Sequence, residues 1–298
     1  MTNTTAMQTH LIDLPDGRTL AVGETGDASG PVVVLLPSAP GSRLIDPDPA
    51  ATAAAGVRLL TIDRPGYGAS SPLAEGAVPS VADAADDLAF ALAALGITDV
   101  AVAGWSSGGR YALALAARHP ELVRSAALIA TPAPDDEVPW IQEQHRPMLA
   151  EMRADPAGGV IGIAQAFAPI AADPDLFLNQ VGDGDADVAA LAADPEMRDR
   201  AQAMLVEAFR PGVVGVATDI VACNVVDGGF DASAVGAPVA LFYGDADVAV
   251  PPPHGEYWER VLAESTLHVV PGGGHFIALS HWGEVLAALA AAETGDED

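Results

Sequence analysis

The chain has 298 residues, half of them hydrophobic, enough to bury one large core with or without an insertion. It carries 41 acidic and 13 basic residues for a formal net charge of −28, and it contains no lysine. That balance repels nucleic acid and anionic membrane, which are excluded as partners.

A lysine-free, carboxylate-rich composition fits either a halophilic host or a genome of high GC content, and stability at low salt separates the two. The single cysteine, Cys223, has no partner for a disulfide and no companion at metal-ligand spacing, so it reads as core filler. The opening MTNTTAMQTH lacks a basic stretch followed by an apolar one, and no apolar run is long enough to span a bilayer. A cytoplasmic location is expected.

In chain order, THLIDL and TLAVGE flank Pro15-Asp16-Gly17 and predict an antiparallel hairpin. PVVVLLP, VRLLTID, VAVAGW, SAALIA, PVALFYG and STLHVV are short valine-rich runs suited to strands buried on both faces. Residues 80–95, SVADAADDLAFALAAL, open on a serine cap with early aspartates and stop at Gly96, which predicts a helix. Further helices are expected from Ser107 to about His119 and from Trp282 to about Ala292. This alternation predicts an α/β fold around a mostly parallel central sheet.

After Thr131 the strand rhythm stops and returns only with PVALFYG. Residues 132–231 are Pro- and Asp-punctuated and helical in character, an insertion into a core made of 1–131 and 232–298. Within it DGDAD, Asp183 to Asp187, has the look of a calcium loop, but Val188 stands where the turn glycine belongs and Asp194 where the closing glutamate belongs. A solvated loop is expected there, with no metal. The acidic tail ETGDED is expected to fray.

GWSSGG, Gly104 to Gly109, follows the strand VAVAG and opens a helix. That context suits a nucleophile elbow with Ser106 at its apex, flanked by Trp105 and Ser107, although a plain strand-to-helix turn has the same string. A catalytic serine needs a base, and the base needs an orienting acid. Of seven histidines, His268 lies in a strand, His119 ends a helix, His10 precedes the core, and His254 and His281 lie near loops. Only His275, in PGGGHF after the last strand, follows a glycine-rich segment that lets the ring reach Ser106. For the acid, the GDADVAVP loop offers Asp245 and Asp247, and the loop after SAALIA offers Asp135 and Asp136.

Oxyanion donors are expected from the backbone N–H of Ser107 and from PSAPGSR, where Pro37 and Pro40 have no N–H and leave Ser38 or Ala39. DRPGYGAS, Asp63 to Ser70, reads as a folding and loop-bracing turn. PGGGH is not a phosphate loop, because no lysine exists to complete it.

The strand order, GWSSGG, GDADVAVP, PGGGHF, DRPGYGAS and the mid-chain insertion resemble the α/β-hydrolase fold family of the Ser-His-Asp type over nearly the whole chain. The resemblance implies a catalytic triad of Ser106, Asp247 and His275, with Ala39 and Ser107 as oxyanion amides and the insertion as a helical cap. It also implies that the chain lacks a histidine in the oxyanion loop, since the family commonly has His-Gly where Pro37-Ser38 stand here. Cap aromatics Trp140, Phe167 and Phe177, with Trp105, are the expected pocket walls. The implied activity is hydrolysis of a small, largely apolar ester without cofactor. The acidic exterior favours an uncharged or cationic substrate, a preference that a local arginine could overturn. The same triad also supports C–C bond hydrolysis, perhydrolase or haloperoxidase chemistry and iminopeptidase cleavage, and a non-catalytic ligand receptor is the reading from another class.

Overall fold

The computed structural model describes residues 7–173, 176, 178, 185–226 and 228–292. Phe177 and Asp183 lie outside the described residues, as does the acidic tail. The eight strands are β1 (Gln8–Asp13), β2 (Thr19–Gly26), β3 (Val32–Leu36), β4 (Arg58–Asp63), β5 (Val100–Trp105), β6 (Val123–Ile129), β7 (Val239–Gly244) and β8 (Ser265–Val270). They form one sheet in the order β1-β2-β4-β3-β5-β6-β7-β8. β1 pairs antiparallel with β2, and β2 with β4, while every later pairing is parallel. All six valine-rich runs are therefore strands, and the expected hairpin is present.

Alternate residues of each central strand point to opposite faces, and the apolar runs use both. Val34, Leu36, Val100 and Val102 enter one core with α2 (Val81–Ala94) and α3 (Gly108–Arg118). Val33, Leu35, Ala101 and Ala103 enter a second core with the C-terminal helix Trp282–Ala291. Burying each such Val or Leu contributes about 1.5–3 kcal/mol. The parallel strands are thereby fixed in register, and their carboxyl ends share one rim.

Three helices of the core have no counterpart in the expected pattern: α1 (Pro49–Ala55), a nine-residue helix Pro253–Val261 and the single turn Ile277–Ser280. Their periodicity is too brief to show in sequence. α2 matches its signals closely, since the Ser80 hydroxyl accepts the Asp83 N–H at 3.2 Å.

Between β6 and β7 the described regular elements are helical: α4 (Arg146–Ala154), α5 (Pro156–Ala172), α6 (Asp185–Ala193), α7 (Pro195–Ala208) and α8 (Val214–Asn224). The Asp-Pro punctuation marks helix starts. Asp155 and Asp194 cap with their carboxylates, at 3.0 Å each, and Pro156 and Pro195 take the first helical position, where a missing N–H costs nothing. Continuing in chain order, Pro253–Val261 is α9, Ile277–Ser280 is α10 and Trp282–Ala291 is α11.

The helical segment rests on loops leaving the sheet's carboxyl rim. Ser42 Oγ donates to Met204 O at 2.7 Å, Arg43 pairs with Glu207 at 2.6 Å, and Arg210 donates to Gly68 O at 2.8 Å. No helix among the described residues is long and apolar enough to cross a membrane.

Candidate active site

β5 runs into α3 through GWSSGG. Ser106 sits at the bend with φ +56, a left-handed conformation that a non-glycine residue holds only where surroundings enforce it. The turn is closed by the Ser106 N–H to Ile129 O at 2.8 Å and by the Gly109 N–H to Ser106 O at 3.1 Å. A Cβ on Gly104 would meet the backbone of Gly109, and one on Gly108 the Leu36 carbonyl. Gly109 is equally constrained, against Thr131. Strand and helix approach this closely only because these three positions are bare.

His275 follows β8 and receives its acid from the loop after β7. Its Nδ1 lies 2.8 Å from Asp247 Oδ2, and both residues are buried. The other Asp247 oxygen accepts the N–H groups of Ala249 and Val250 at 2.8 and 2.9 Å, which fixes the carboxylate. Burial opposes charge on the ring, but the charge and hydrogen bond of Asp247, with the charge of Asp187 behind it, prevail and hold the His275 pKa above its ordinary 6.5. Asp247 is likewise penalised by burial, yet His275 and its two backbone donors hold its pKa below the ordinary carboxylate range.

The rival acids are engaged elsewhere. Asp245 is a turn former that accepts the Gly272 N–H at 2.6 Å. Asp135 accepts the N–H groups of Trp140 and Ile141 and pairs with Arg146 at 2.8 Å, while Asp136 faces Arg153 at 3.5 Å. Among the histidines, His268 stacks on Phe242, His119 and His10 pair with Asp86 and Glu24, and His281 meets Ser280. His254 is buried in the first turn of α9, where its Nδ1 accepts the Ala133 N–H at 3.1 Å and burial lowers its pKa.

Ser106 and His275 line one cavity of about 170 Å³ together with Ser38, Ala39, Trp105, Ala249 and Phe276. Trp105 is itself 2 % exposed, and its indole N–H donates to the His275 carbonyl at 2.9 Å, so it braces the histidine loop as well as walling the cavity. Ala39 forms part of the cavity wall, and Ser107 opens α3.

The loop after β3, which carries Ala39, is held by Arg64 of the DRPGYGAS turn. Its Nη1 donates to Pro37 O at 2.6 Å and its Nη2 to Ser38 O at 2.8 Å. Because a trans peptide is planar with C=O and N–H opposed, fixing the Ser38 carbonyl on Arg64 aims the Ala39 N–H the other way. The guanidinium is in turn gripped by Asp219 of α8, through Nε at 2.9 Å and Nη2 at 2.5 Å, and Tyr111 donates its hydroxyl to the same carboxylate at 2.7 Å. Arg64 is fully buried yet stays charged, its pKa raised by Asp219 against the opposing effect of burial. The brace that the loop lacks at its own histidine position comes from Arg64.

A second carboxylate of the helical segment grips the loop that carries His275. Asp187, the last residue of DGDAD, is 3 % exposed and accepts the backbone N–H groups of His275 at 2.9 Å and Phe276 at 2.8 Å. This corrects the expectation of a solvated loop at that position. Neither Asp187 nor Asp219 was found by sequence reasoning. Asp219 left a trace, as the one charged residue in the largely apolar stretch VGVATDIVACN, where an unpaired charge could not be buried. Among the described residues no cluster of three or more His, Cys, Asp and Glu could hold a metal ion.

A larger chamber of about 450 Å³ adjoins the cavity at Ser106 and His275, sharing Ala249 with it. Trp140, Leu149, Met152, Ile163 and Ile220 make its walls apolar. Trp140 Nε1 is buried without a hydrogen-bond partner among the described residues. Phe167 does not line the chamber; it is half-buried and packs against the clusters of Tyr67, Phe209 and Val216 and of Leu149, Met152 and Ala217.

The profile of the alpha/beta hydrolase fold family matches residues 31–281. The chain belongs to the α/β-hydrolase fold family. Pimeloyl-[acyl-carrier protein] methyl ester esterase of Chromobacterium violaceum is 30% identical over 231 residues, 77% of this chain and 81% of that protein. The protein of the same name from Neisseria meningitidis serogroup C is 32% identical over 236 residues, 78% of this chain and 80% of its own length. With relatives so named, this α/β hydrolase is a carboxylic ester hydrolase. Solved structures agree on the fold: a carboxylesterase of Nitrososphaera gargenis has a TM-score of 0.72 at 21% identity, covering 96% of this chain and 100% of its own. A bromoperoxidase of Bacillus anthracis has a TM-score of 0.70 at 20% identity, with the same coverage.

Proposed function

We propose that this esterase works through an acyl-enzyme on Ser106, with His275 as general base and acid and Asp247 as the group that orients and stabilises the imidazolium. The observation that carries the reading is the buried 2.8 Å pairing of Asp247 with His275, whose ring shares a cavity with a serine held at positive φ. His275 removes the Ser106 proton as the oxygen attacks the ester carbonyl. The amides of Ala39 and Ser107 receive the developing oxyanion, and His275 then protonates the leaving alcohol. Water activated by the same ring releases the acid.

The substrate proposed is a small-molecule ester whose apolar chain occupies the 450 Å³ chamber under α4, α5 and α8, with Trp105 in the catalytic wall and the Trp140 N–H as a donor to a polar atom on that chain. The relatives' named substrate is likewise a methyl ester on an apolar pimeloyl chain, there carried on an acyl-carrier protein. In this reading residues 132–231 act as a cap and the enzyme needs no cofactor.

Fluorophosphonate labelling tests the mechanism. The wild-type protein should label covalently on Ser106, and Ser106→Ala should not. Absence of labelling in folded wild-type protein would remove the acyl-enzyme mechanism and favour a receptor on the same scaffold.

A further inference from the structure

Arg43 and Arg64, the buried arginines among the described residues, each sit 2.5 Å from a carboxylate oxygen. Arg110, in the first turn of α3, does not. In a chain with 41 acidic residues its guanidinium has no carboxylate within ion-pair distance among the described residues. Its contacts are one 3.3 Å hydrogen bond from Nη2 to the Cys223 carbonyl and the face of Trp258, whose ring centre is 5.7 Å away. Nε is buried with no partner. Burial pulls its pKa below the ordinary guanidinium value, but a guanidinium remains charged throughout the working range of a protein. A half-buried guanidinium whose Nε is dry and unpaired is a ready receptor for an anion that brings the missing acceptor.

The space beside it suits one. A cavity of about 340 Å³ is lined by Arg110, Val81, Ala222, Phe230, Asp135 and Asp136, among others. This volume lies at the small end of ligand sites, about 300–1,000 Å³. The two aspartates in its wall are already used: Asp135 by two backbone N–H groups and Arg146, Asp136 by Arg153. They leave Arg110 unclaimed but would repel a dianion. Val81, Ala222 and Phe230 give the rest of the site an apolar side.

We propose that this cavity is a carboxylate site, in which Arg110 receives the carboxylate of a small monoanionic acid whose apolar chain packs against Val81, Ala222 and Phe230. Asn224 lines both this cavity and the 450 Å³ chamber, which places the site beside the space assigned to the substrate. A carboxylic acid is also the chemical class that ester hydrolysis releases. Binding at Arg110 is independent of Ser106.

Titration calorimetry with hexanoate tests the site on the full chain, with hexan-1-ol and hexylammonium as controls. Wild type and Ser106→Ala should bind hexanoate equally, neither control should bind, and Arg110→Gln should weaken hexanoate by at least about tenfold, the loss of a charge-assisted pair. Added salt should weaken binding to the wild type. Hexanoate should raise the melting temperature of wild type and leave that of Arg110→Gln unchanged. Arg110→Met, which removes the unpaired charge and keeps the bulk, should melt no lower than wild type without ligand. Equal hexanoate affinity in Arg110→Gln, or no saturable binding to wild type at millimolar concentration, would overturn the proposal. So would a marked fall in melting temperature for Arg110→Met, since the arginine would then be a structural strut.

Discussion

Asp187 lies 2.9 Å from the backbone nitrogen of His275, so the histidine that pairs with Asp247 through its ring is held through its main chain by a second carboxylate from the helical segment. The two act differently. Asp247 fixes the tautomer and tilt of the ring, whereas Asp187 fixes the loop that carries it and adds negative charge nearby.

Replacing Asp187 by Asn removes that charge. Asp187 helps hold the His275 pKa up, so the substitution lowers it and moves the acidic limb of the kcat/KM profile to lower pH. Asp187→Ala also strands two buried N–H groups, at about 1.5–3 kcal/mol for each hydrogen bond to charge, and should lower both melting temperature and kcat. A pH–rate profile for Asp187→Asn superimposable on wild type would show that Asp187 has no influence on the ring.

The wild-type profile has its own expected form. His275 must be neutral to act as base, and its pKa lies above 6.5, so kcat/KM should decline on acidification through a midpoint above that value. Asp247 stays ionised through this window because its pKa is depressed. An acidic midpoint below 6.5 in the free enzyme would contradict the geometry of the pair.

Asp219→Ala leaves Arg64 buried without its counter-charge, a loss of about 3–5 kcal/mol. Because Arg64 aims the Ala39 amide, the variant should also lose kcat by up to about 10²–10³-fold, the range for one oxyanion donor, with little change in KM. Tyr111→Phe removes one hydrogen bond from the same carboxylate and should cost only about 1 kcal/mol. Unfolding curves and steady-state kinetics on the pair of variants test both statements, and an Asp219→Ala enzyme with normal kcat would refute the second.

Ala249 forms wall in both the catalytic cavity and the apolar chamber. Its backbone N–H serves Asp247, and a larger side chain leaves that bond in place. Ala249→Phe should therefore divide the two spaces, sparing hydrolysis of acetate esters while reducing kcat/KM for hexanoate esters by at least about tenfold, the scale of one or two methylenes of pocket contact. Parallel losses on both esters would show that the chamber does not receive the acyl chain.

The strands were legible because their apolar runs are short and dense and their turns carry Gly or Pro, and the Asp247–His275 pairing and the bend at Ser106 because each lies where such a run ends. Short helices such as α1 and α10 span too few turns to display periodicity. Asp187 and Asp219 were illegible as site residues for a different reason: each acts on a loop some 90 or 180 residues away, since Asp187 bonds His275 and Asp219 reaches Ser38 through Arg64, and no local pattern records a partner at that distance. Arg64 belongs to a turn whose sequence reads as a loop brace, and the loop it braces is the one that carries Ala39.

Two buried carboxylates thus fasten the helical layer to the machinery beneath it, and swinging that layer aside as a rigid gate would dismantle the site it uncovers. Met148 and Val248 are exposed and line the chamber, so the expected route for substrate runs past them with the helical layer in place. Heat inactivation should precede global melting, because loosening the upper helices alone disarms a core that is still folded.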